Sequence, residues 1–298
     1  MLDKLTTEER NPASEAIDRL SALEIVRLMN SEDARVAAAV AQVAETIAQV
    51  IDMVADRLRR GGRLVYIGAG TSGRLGVLDA AECPPTFNTE PWQVVGLIAG
   101  GTEALTRAVE GAEDNSQTGA EDLKEIELSA DDMVIGIATS GRTPYVLGGL
   151  QYAGAHGAAT AGLACNRDSA LAAVTETMIT PIVGPEIISG STRLKAGTAT
   201  KMVLNIITTG AMVRIGKTYG NLMVDLRATN SKLVERSRRI VMELTGLSRD
   251  EATRQLNDCD GELKTAIVAT LRGADAATAR QLLANAGGHL RAAIAEGR

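Results

Sequence analysis

Short runs of residues that are apolar on both faces constrain this chain more than any other feature of its sequence. Strands without a polar face must be covered on both sides, and helices that alternate with strands supply that cover. We therefore predict a doubly wound parallel sheet of five strands, with ligands bound at the carboxyl ends of the strands. The runs stand at Leu64–Ile67, Val94–Ile98, Met133–Ala138, Ala159–Leu163 and Met178–Val183, with helical stretches between them.

The sequence predicts three consecutive segments. Residues 61–234 contain the strand runs and form the sheet domain. Residues 1–60 precede it as a helical segment, because apolar residues recur at helical spacing from Val36 to Leu58. Residues 235–298 follow as a small all-α domain.

This small domain contains an internal repeat. The pattern that begins at Ser248 and turns at Gly261 recurs 27 residues later, beginning at Asp275 and turning at Gly288. Each copy is typical of a capped helix, a glycine turn and a second helix. Neither copy can bury its apolar stripe alone, so we expect the two to pack together, as in UBA-like domains, or on a partner.

Composition excludes several classes of function. The formal net charge of −6 argues against nucleic acid as a partner, because neutralising a phosphate backbone requires a surplus of Lys and Arg. No apolar run reaches the roughly 18 residues of a membrane span, and the N-terminus lacks the apolar core of a signal peptide. The three cysteines have no CxxC spacing, which favours reduced thiols and a cytoplasmic protein. The only histidines, His156 and His289, are isolated, so no metal site is expected.

Two loops rich in glycine and hydroxyl groups follow neighbouring strands of the predicted sheet. The first, from Gly68 to Gly76, matches GxGxxG, but no acid follows the second strand, so a dinucleotide cofactor is not expected. A tight turn would explain the first loop alone, and helix capping by Ser140 and Thr143 would explain the second alone. Together the loops are typical of a cup for a phosphate ester. The candidate ligands are Thr71, Ser72, Thr139, Ser140, Gly141 and Thr143.

The two loops, GTS after one strand and SGxTP after another, resemble those of the sugar isomerase (SIS) domain family. This resemblance implies a flavodoxin-like sheet, usually dimeric, that holds phosphosugars. Longer stretches stand in order at Thr7–Asn11, Ala80–Phe87, Glu110–Asp114, Gly184–Glu186 and Ser189–Lys201. With these stretches, nearly the whole chain resembles the N-acetylmuramic acid 6-phosphate etherase family.

The etherase resemblance implies an enzyme that cleaves the D-lactyl ether of N-acetylmuramic acid 6-phosphate in the recycling of cell-wall amino sugars. An ether has a poor leaving group, but the open-chain aldehyde form of the sugar makes its C2 hydrogen acidic. Removal of that proton, loss of lactate and addition of water need two carboxyl groups and no metal or other cofactor.

By resemblance, Glu82 donates a proton to the leaving oxygen and Glu113 is the base at C2, and the opposite assignment stays open. Glu82 follows an apolar stretch, which is expected to desolvate its carboxyl group and raise its pKa. The Pro84-Pro85 pair is expected to end the helix that carries it.

Further candidate ligands stand near the end of the sheet domain. Glu186 is expected to bind a sugar hydroxyl, and Ser191 to contact the substrate. Arg193 and Lys195 are expected to neutralise the phosphate or the lactyl carboxylate. Helix capping is the alternative role for Ser191, and a surface salt bridge is the alternative for Arg193. Sites of this type often span two subunits, so we predict a homodimer in which Thr7–Asn11 reaches the neighbour's pocket.

Three other functions remain compatible with parts of the sequence. A phosphosugar isomerase of the same superfamily would share the phosphate cup but release no lactate. A non-catalytic phosphosugar sensor, similar to the glucokinase regulatory protein of animals, would not need both Glu82 and Glu113 and would carry two such domains. A sugar-responsive transcription factor would place a basic helix-turn-helix ahead of the sugar domain, and the acidic N-terminal helices do not have that form.

Overall fold

The apolar runs form a parallel sheet of five strands, which confirms the predicted fold class. The structure, a computed structural model, describes residues 6–226 and 231–295. The strands are β1 (Leu64–Gly68), β2 (Val94–Ile98), β3 (Met133–Ile137), β4 (Ala159–Leu163) and β5 (Thr177–Ile179). Their order is β2-β1-β3-β4-β5, so strands are added on one side of β1 first and then on its other side. The topological switch point therefore lies between β1 and β3.

The last strand is shorter than the sequence predicts. The apolar run continues to Val183, but β5 ends at Ile179. Pro181 follows two residues later, and proline has no amide hydrogen to donate to a neighbouring strand. The strand therefore ends where the proline makes further pairing unfavourable.

Helices cover the sheet, as doubly wound folds require. The helix α3 (Ala44–Arg59) contacts β1, β3 and β5. The helices α5 (Ser116–Glu125) and α6 (Pro144–Ala155) pack on one face through a core that includes Val65 and Ile67. Tyr66 points the other way, because side chains alternate along a strand.

Glycine allows α5 and α6 to pack with their backbones in close contact. A Cβ atom added to Gly119 would lie 2.0 Å from the carbonyl oxygen of Tyr145. A Cβ atom added to Gly148 would lie 1.9 Å from the carbonyl oxygen of Ser116. These distances are far shorter than any real contact, so both positions require glycine, and the abundance of small residues reflects this packing.

The N-terminal segment is less regular than the sequence predicts. It begins with two 3-10 turns, at Pro12–Ser14 and Ile17–Arg19, before α1 (Ala22–Asp33). The stripe from Val36 to Leu58 is carried by α2 (Val36–Ala41) and by α3, where one helix was expected. The Val43 amide bonds to the Val40 carbonyl at 3.1 Å, so a tighter 3-10 turn separates the two helices.

The helix α4 (Gly70–Phe87) corrects a further expectation, because Pro84 and Pro85 lie inside it. Prolines cannot donate the usual hydrogen bonds to the carbonyl groups one turn earlier. The helix nevertheless continues to Phe87, where Asn88 takes the left-handed conformation with φ of 51°. Its amide bonds to the Pro84 carbonyl at 3.0 Å. The helix therefore ends at an asparagine cap and not at the prolines.

The chain divides into two compact units. The first comprises Met1–Ala81 and Gln93–Thr208 and contains the sheet. The second comprises Glu82–Trp92 and Thr209–Arg298. The helix α7 (Lys195–Arg214) begins in the first unit and ends in the second.

The second unit confirms the predicted repeat. Ser248 caps α9 (Arg249–Asp258) with a capping box, and Asp275 caps α11 (Ala276–Asn285) by accepting a hydrogen bond from the Thr278 amide. The glycine turns at Gly261 and Gly288 have φ angles of +78° and +79°. The two helix pairs share one apolar core.

In the described part of the second unit, two short strands and five helices follow α7. They are β6 (Thr218–Tyr219) and β7 (Leu222–Met223), then α8 (Ser231–Thr245), α9 (Arg249–Asp258), α10 (Leu263–Arg272), α11 (Ala276–Asn285) and α12 (Leu290–Ala295).

Within residues 6–226 and 231–295, no single helix has both the length and the apolar character to cross a membrane. The pair formed by residues 22–41 and 44–59, bent by 60°, meets the length and composition criteria only when both parts are taken together.

Candidate active site

The strand order brings the two hydroxyl-rich loops together. Because β3 lies beside β1, the loop after Ile137 starts next to the loop after Gly68. The Ser72 and Thr139 hydroxyl oxygens lie 3.5 Å apart. Thr71 faces the first turn of α7, since a Cβ atom added to Gly197 would lie 3.7 Å from the Thr71 methyl carbon. These hydroxyl groups thus meet at the β1–β3 switch point, as the sequence predicts for a ligand site.

The second loop contradicts the capping explanation for Thr143. Thr143 is the N-cap residue of α6, yet its side chain makes no capping hydrogen bond. Ser140 Oγ accepts a hydrogen bond of 3.3 Å from the Arg142 amide. Gly141 has a φ of +72°, and a Cβ atom there would lie 2.1 Å from Ser169 Cβ. Glycine is therefore required by conformation and by space at this position.

A short N-terminal segment, Thr7–Asn11, binds the loops of its own chain. Thr7 donates its amide to Asn166 Oδ1 at 3.3 Å and accepts at Oγ1 from Asn166 Nδ2 at 3.0 Å. The Gly190 amide donates to the Thr7 carbonyl at 3.1 Å. These bonds fix Thr7 on the loops of its own chain, and the expectation that the segment reaches a neighbouring subunit's pocket stays a prediction. We call Thr7–Asn11 the N-terminal strap.

Asn166 is a site-shaping residue that the sequence analysis missed. It is buried after β4 and also donates to the Thr139 carbonyl at 2.9 Å. Asn166 thus holds the strap and the backbone of the second hydroxyl loop at once. Its position at the carboxyl end of a parallel strand is the signal that could have identified it.

A buried ion pair joins α1 to the first residue of α7, which follows the loop after β5. Lys195 Nζ lies 2.6 Å from Glu32 Oε2, and both side chains are almost fully buried. Asn11 Nδ2 donates to the same oxygen at 2.8 Å. Burial raises the pKa of Glu32, but the hydrogen bonds from Lys195 and Asn11 outweigh it, so the pKa of that carboxyl group lies below its ordinary value.

Glu186 belongs to the same buried cluster. Its carboxylate accepts the Lys195 amide at 3.0 Å and the Ala196 amide at 2.9 Å, so it caps the N-terminus of α7. Burial raises the pKa of Glu186, and the two backbone hydrogen bonds oppose that shift. Lys195 and Glu186 therefore have partners inside the protein, and their roles as sugar ligands stay predictions. Ser191 is half-buried in the loop between them.

Glu113 lies in a 3-10 turn, Ala112–Asp114, with its side chain exposed. It lines a cavity of about 300 Å³ together with Gly70 and Arg74. Arg74 Nε donates to the Leu105 carbonyl at 3.2 Å, and Nη2 donates to the Arg107 carbonyl at 3.0 Å. The cavity thus places a carboxylate beside the first hydroxyl loop.

Glu82 lies near the end of α4, in the second unit, and its side chain is exposed. The expectation that an apolar environment desolvates this carboxyl group is therefore wrong for the single chain. The convergence of Glu82 with Glu113 stays a prediction. The adjacent Cys83 is buried, which agrees with a packing role for its thiol.

Asp79, one turn before Glu82 on α4, is a second residue that the sequence analysis missed. It accepts hydrogen bonds from Tyr66 Oη at 2.9 Å, Asn205 Nδ2 at 2.7 Å and Thr208 Oγ1 at 3.2 Å. Burial raises the pKa of Asp79, and these hydrogen bonds partly oppose the shift. The residue ties α4 to β1 and to α7.

The described parts of the chain, 6–226 and 231–295, contain no group of three His, Cys, Asp or Glu side chains that could hold a metal ion. The cysteines Cys83, Cys165 and Cys259 are free and buried. Burial, and then the nearby charge of Glu186, raise the pKa of Cys165 to about 12. That thiol is therefore a poor nucleophile.

Comparisons with known proteins agree with this geometry. A sequence model of the glucokinase regulatory protein N-terminal SIS domain matches residues 42–154. In structure, the chain is similar to a Bacteroides fragilis protein described as a phosphosugar isomerase involved in capsule formation. The TM-score is 0.51 at 18% identity, and the match covers 65% of this chain and 91% of that one. This similarity concerns the fold alone.

Two curated relatives match over almost their whole length. The chain is 63% identical to N-acetylmuramic acid 6-phosphate etherase of Rhodopirellula baltica, over 97% of this chain and 96% of that protein. It is 59% identical to the protein of the same name from Streptomyces coelicolor, over 99% of this chain and 94% of that protein. The chain belongs to the N-acetylmuramic acid 6-phosphate etherase family.

Proposed function

We propose that this protein cleaves the ether between D-lactate and C3 of N-acetylmuramic acid 6-phosphate. The products are D-lactate and N-acetylglucosamine 6-phosphate, and the reaction serves the recycling of cell-wall amino sugars. The identity of more than half of the residues over nearly the full length of etherase relatives carries this proposal. The buried free cysteines suit a reducing compartment, so we place the reaction in the cytoplasm.

The phosphate of the substrate binds the hydroxyl loops at the β1–β3 switch point. The 3.5 Å approach of the Ser72 and Thr139 hydroxyl oxygens supports this placement. Thr143 supports it too, because its hydroxyl is not used as a helix cap. Ser140, Thr71 and the backbone at Gly141 complete the cup, and Ser191 borders it from the loop before α7.

The reaction begins at C2 of the open-chain sugar. Glu113 removes the C2 proton, and the resulting enolate expels the lactate oxygen from C3 as Glu82 donates a proton to it. The product of this step is a C2–C3 unsaturated aldehyde and free lactate. Water then adds its oxygen to C3 and a proton returns to C2, so the reaction needs no redox or metal cofactor.

Lys195 and Glu186 act by shaping the loop between β5 and α7. Their buried partners, Glu32 for the ammonium group and the α7 amides for the carboxylate, support this role over direct contact with the sugar. These buried contacts fix the start of α7, so Ser191 and Thr192, just before it, are held in place, as a binding loop requires.

The active form is a homodimer. Leu78 and Ile206 are exposed by 53% and 40%, and each is next in sequence to one member of the hydrogen-bonded Asp79–Asn205 pair. They lie on α4 and α7, the two helices that this bond joins, and we infer that they form one apolar patch of the kind that a protein interface covers. Glu82 lies four residues after Leu78 and so shares its face of α4, and a second subunit on this patch would desolvate Glu82.

The dimer is tested by light scattering together with the lactate assay. Leu78→Glu is expected to give monomers with most activity lost, because a carboxylate cannot be buried unpaired in an apolar interface. Leu271→Glu, at an equally apolar exposed position in α10, is the control and should leave the dimer intact. A fully active wild-type monomer would contradict the proposal.

The reaction itself is tested with N-acetylmuramic acid 6-phosphate in water labelled with deuterium and oxygen-18. We expect free lactate, deuterium at C2 and labelled oxygen at C3 of the sugar product. Isomerisation of a phosphosugar without lactate release would favour an isomerase, and tight binding without any reaction would favour a sensor.

A further inference from the structure

Arg74 is placed on the side of α4 that faces away from the hydroxyl loop after β3. Ser72 and Arg74 are two residues apart on one helix, so their side chains point to roughly opposite sides. Ser72 approaches Thr139, which follows β3. Arg74 instead bonds to the carbonyl groups of Leu105 and Arg107, which follow β2 on the other side of β1. The two sides of the β1 loop thus offer different chemistry to one ligand.

The cavity on the Arg74 side has an unbalanced charge. Its charged lining residues are Arg74, Glu110 and Glu113, so Arg74 supplies its one cation. Most of the remaining lining is alanine and glycine. An anionic group that enters this cavity would be repelled by two carboxylates unless it pairs with Arg74.

The Arg74 guanidinium retains donors for such a group. Its bonds to the Leu105 and Arg107 carbonyls use one N–H of Nε and one of Nη2. Arginine has five N–H donors in a fixed fork, so three remain beside the cavity. These three donors include both N–H groups of Nη1, and a guanidinium edge of this kind matches the two oxygens of a carboxylate.

We propose that Arg74 binds the carboxylate of the lactyl group and thereby selects lactyl-bearing phosphosugars, an inference that rests on the proposed function. The phosphate is on C6 of the sugar, and the lactyl ether is on C3, three carbons away along the chain and next to C2. With the phosphate in the hydroxyl loops and C2 at Glu113, the anion that arrives on the β2 side is the lactyl carboxylate. Arg74 is a binding residue in this proposal and takes no part in proton transfer.

The test uses two non-cleavable analogues in which a CH2 group replaces the ether oxygen, one with the lactyl carboxylate and one with the neutral carboxamide. Dissociation constants are measured by calorimetry for the wild type and for Arg74→Gln. We expect the wild type to prefer the carboxylate by about 10- to 100-fold. Arg74→Gln should show little or no preference, because its amide cannot distinguish the two groups by charge.

The comparison separates binding from a merely structural role. If Arg74→Gln weakens both analogues equally and keeps the wild-type preference, Arg74 only holds the segment at residues 105–107 and the proposal is overturned. A wild type without any preference also overturns it. Because the readout is binding, these outcomes are independent of lactate release, whose absence in the wild type would instead reject the proposed function.

Discussion

Glu113→Gln is expected to lower lactate release by about 100- to 10,000-fold, the range for loss of a general base. The change keeps the size of the Glu113 side chain but removes its ability to accept a proton from C2. Exchange of the C2 hydrogen should therefore stop as well. The measurement is proton NMR of the sugar in deuterated water, with lactate quantified in the same samples.

Glu82→Gln is the matched variant and should separate the two steps. It removes the proton donor for the leaving oxygen, so lactate release falls over the same range. The base at C2 remains, so C2 exchange should persist without net cleavage. If Glu82→Gln loses exchange and Glu113→Gln retains it, the two roles are the reverse of our assignment. If both variants release lactate at the wild-type rate, neither glutamate takes part.

Lys195→Met should lower the stability of the first unit strongly. It leaves Glu32 buried without the ammonium group that lies 2.6 Å from its carboxylate. Breaking a buried pair on one side costs about 3–5 kcal/mol. The free energy of unfolding, measured by urea titration with circular dichroism, should fall by that amount.

Two control variants define the cause of this loss. Arg35→Met removes a cation from the same carboxylate, but the Arg35 side chain is 73% exposed, so the effect should be small. The double variant Glu32→Leu with Lys195→Met should recover most of the stability, because no unpaired charge stays buried. A double variant no more stable than Lys195→Met alone would show that packing, and not charge, holds this cluster together.

The loss of stability in Lys195→Met should also depend on pH. The pKa of folded Glu32 lies below its ordinary value of 4.5. Ionised Glu32 therefore stabilises the wild type above that pH, and the contribution is lost as the pH falls through the lower folded pKa. In Lys195→Met the unpaired carboxyl group can take up a proton instead. The difference in free energy of unfolding between the wild type and Lys195→Met should thus become smaller below about pH 4.5.

The sequence predicts the sheet well because its signal is local. Strands such as β1 and β3 are buried along their entire length, so each appears as an uninterrupted apolar run. The hydroxyl loops are also local, and the strand order then brings Ser72 beside Thr139. The proline rule gave the wrong end for α4, because the helix ends at the Asn88 cap and tolerates two missing hydrogen bonds before it.

The rest of the site could not be predicted because it depends on distant pairs. Glu32 and Lys195 are 163 residues apart. In sequence, Glu32 looks like an ordinary charged side chain on a helix surface, and Lys195 looks like a ligand for an anion. Asn166 and Thr7 are 159 residues apart, and no sequence motif around either residue indicates that the two contact each other. Burial decides the role of each, and burial is set by tertiary packing.

The N-terminal strap has a consequence for how the protein acquires its activity. Ser189 Oγ bonds to the Glu8 carbonyl, which is 181 residues away in the chain. Contacts of such separation form late, because a long loop must close before they contribute free energy. During synthesis, residues 7–11 leave the ribosome long before residue 190 exists to receive them. A nascent chain therefore lacks the loop before α7, and Ser191 with it, until late in synthesis. Full phosphosugar binding would thus report the completion of folding and not its onset.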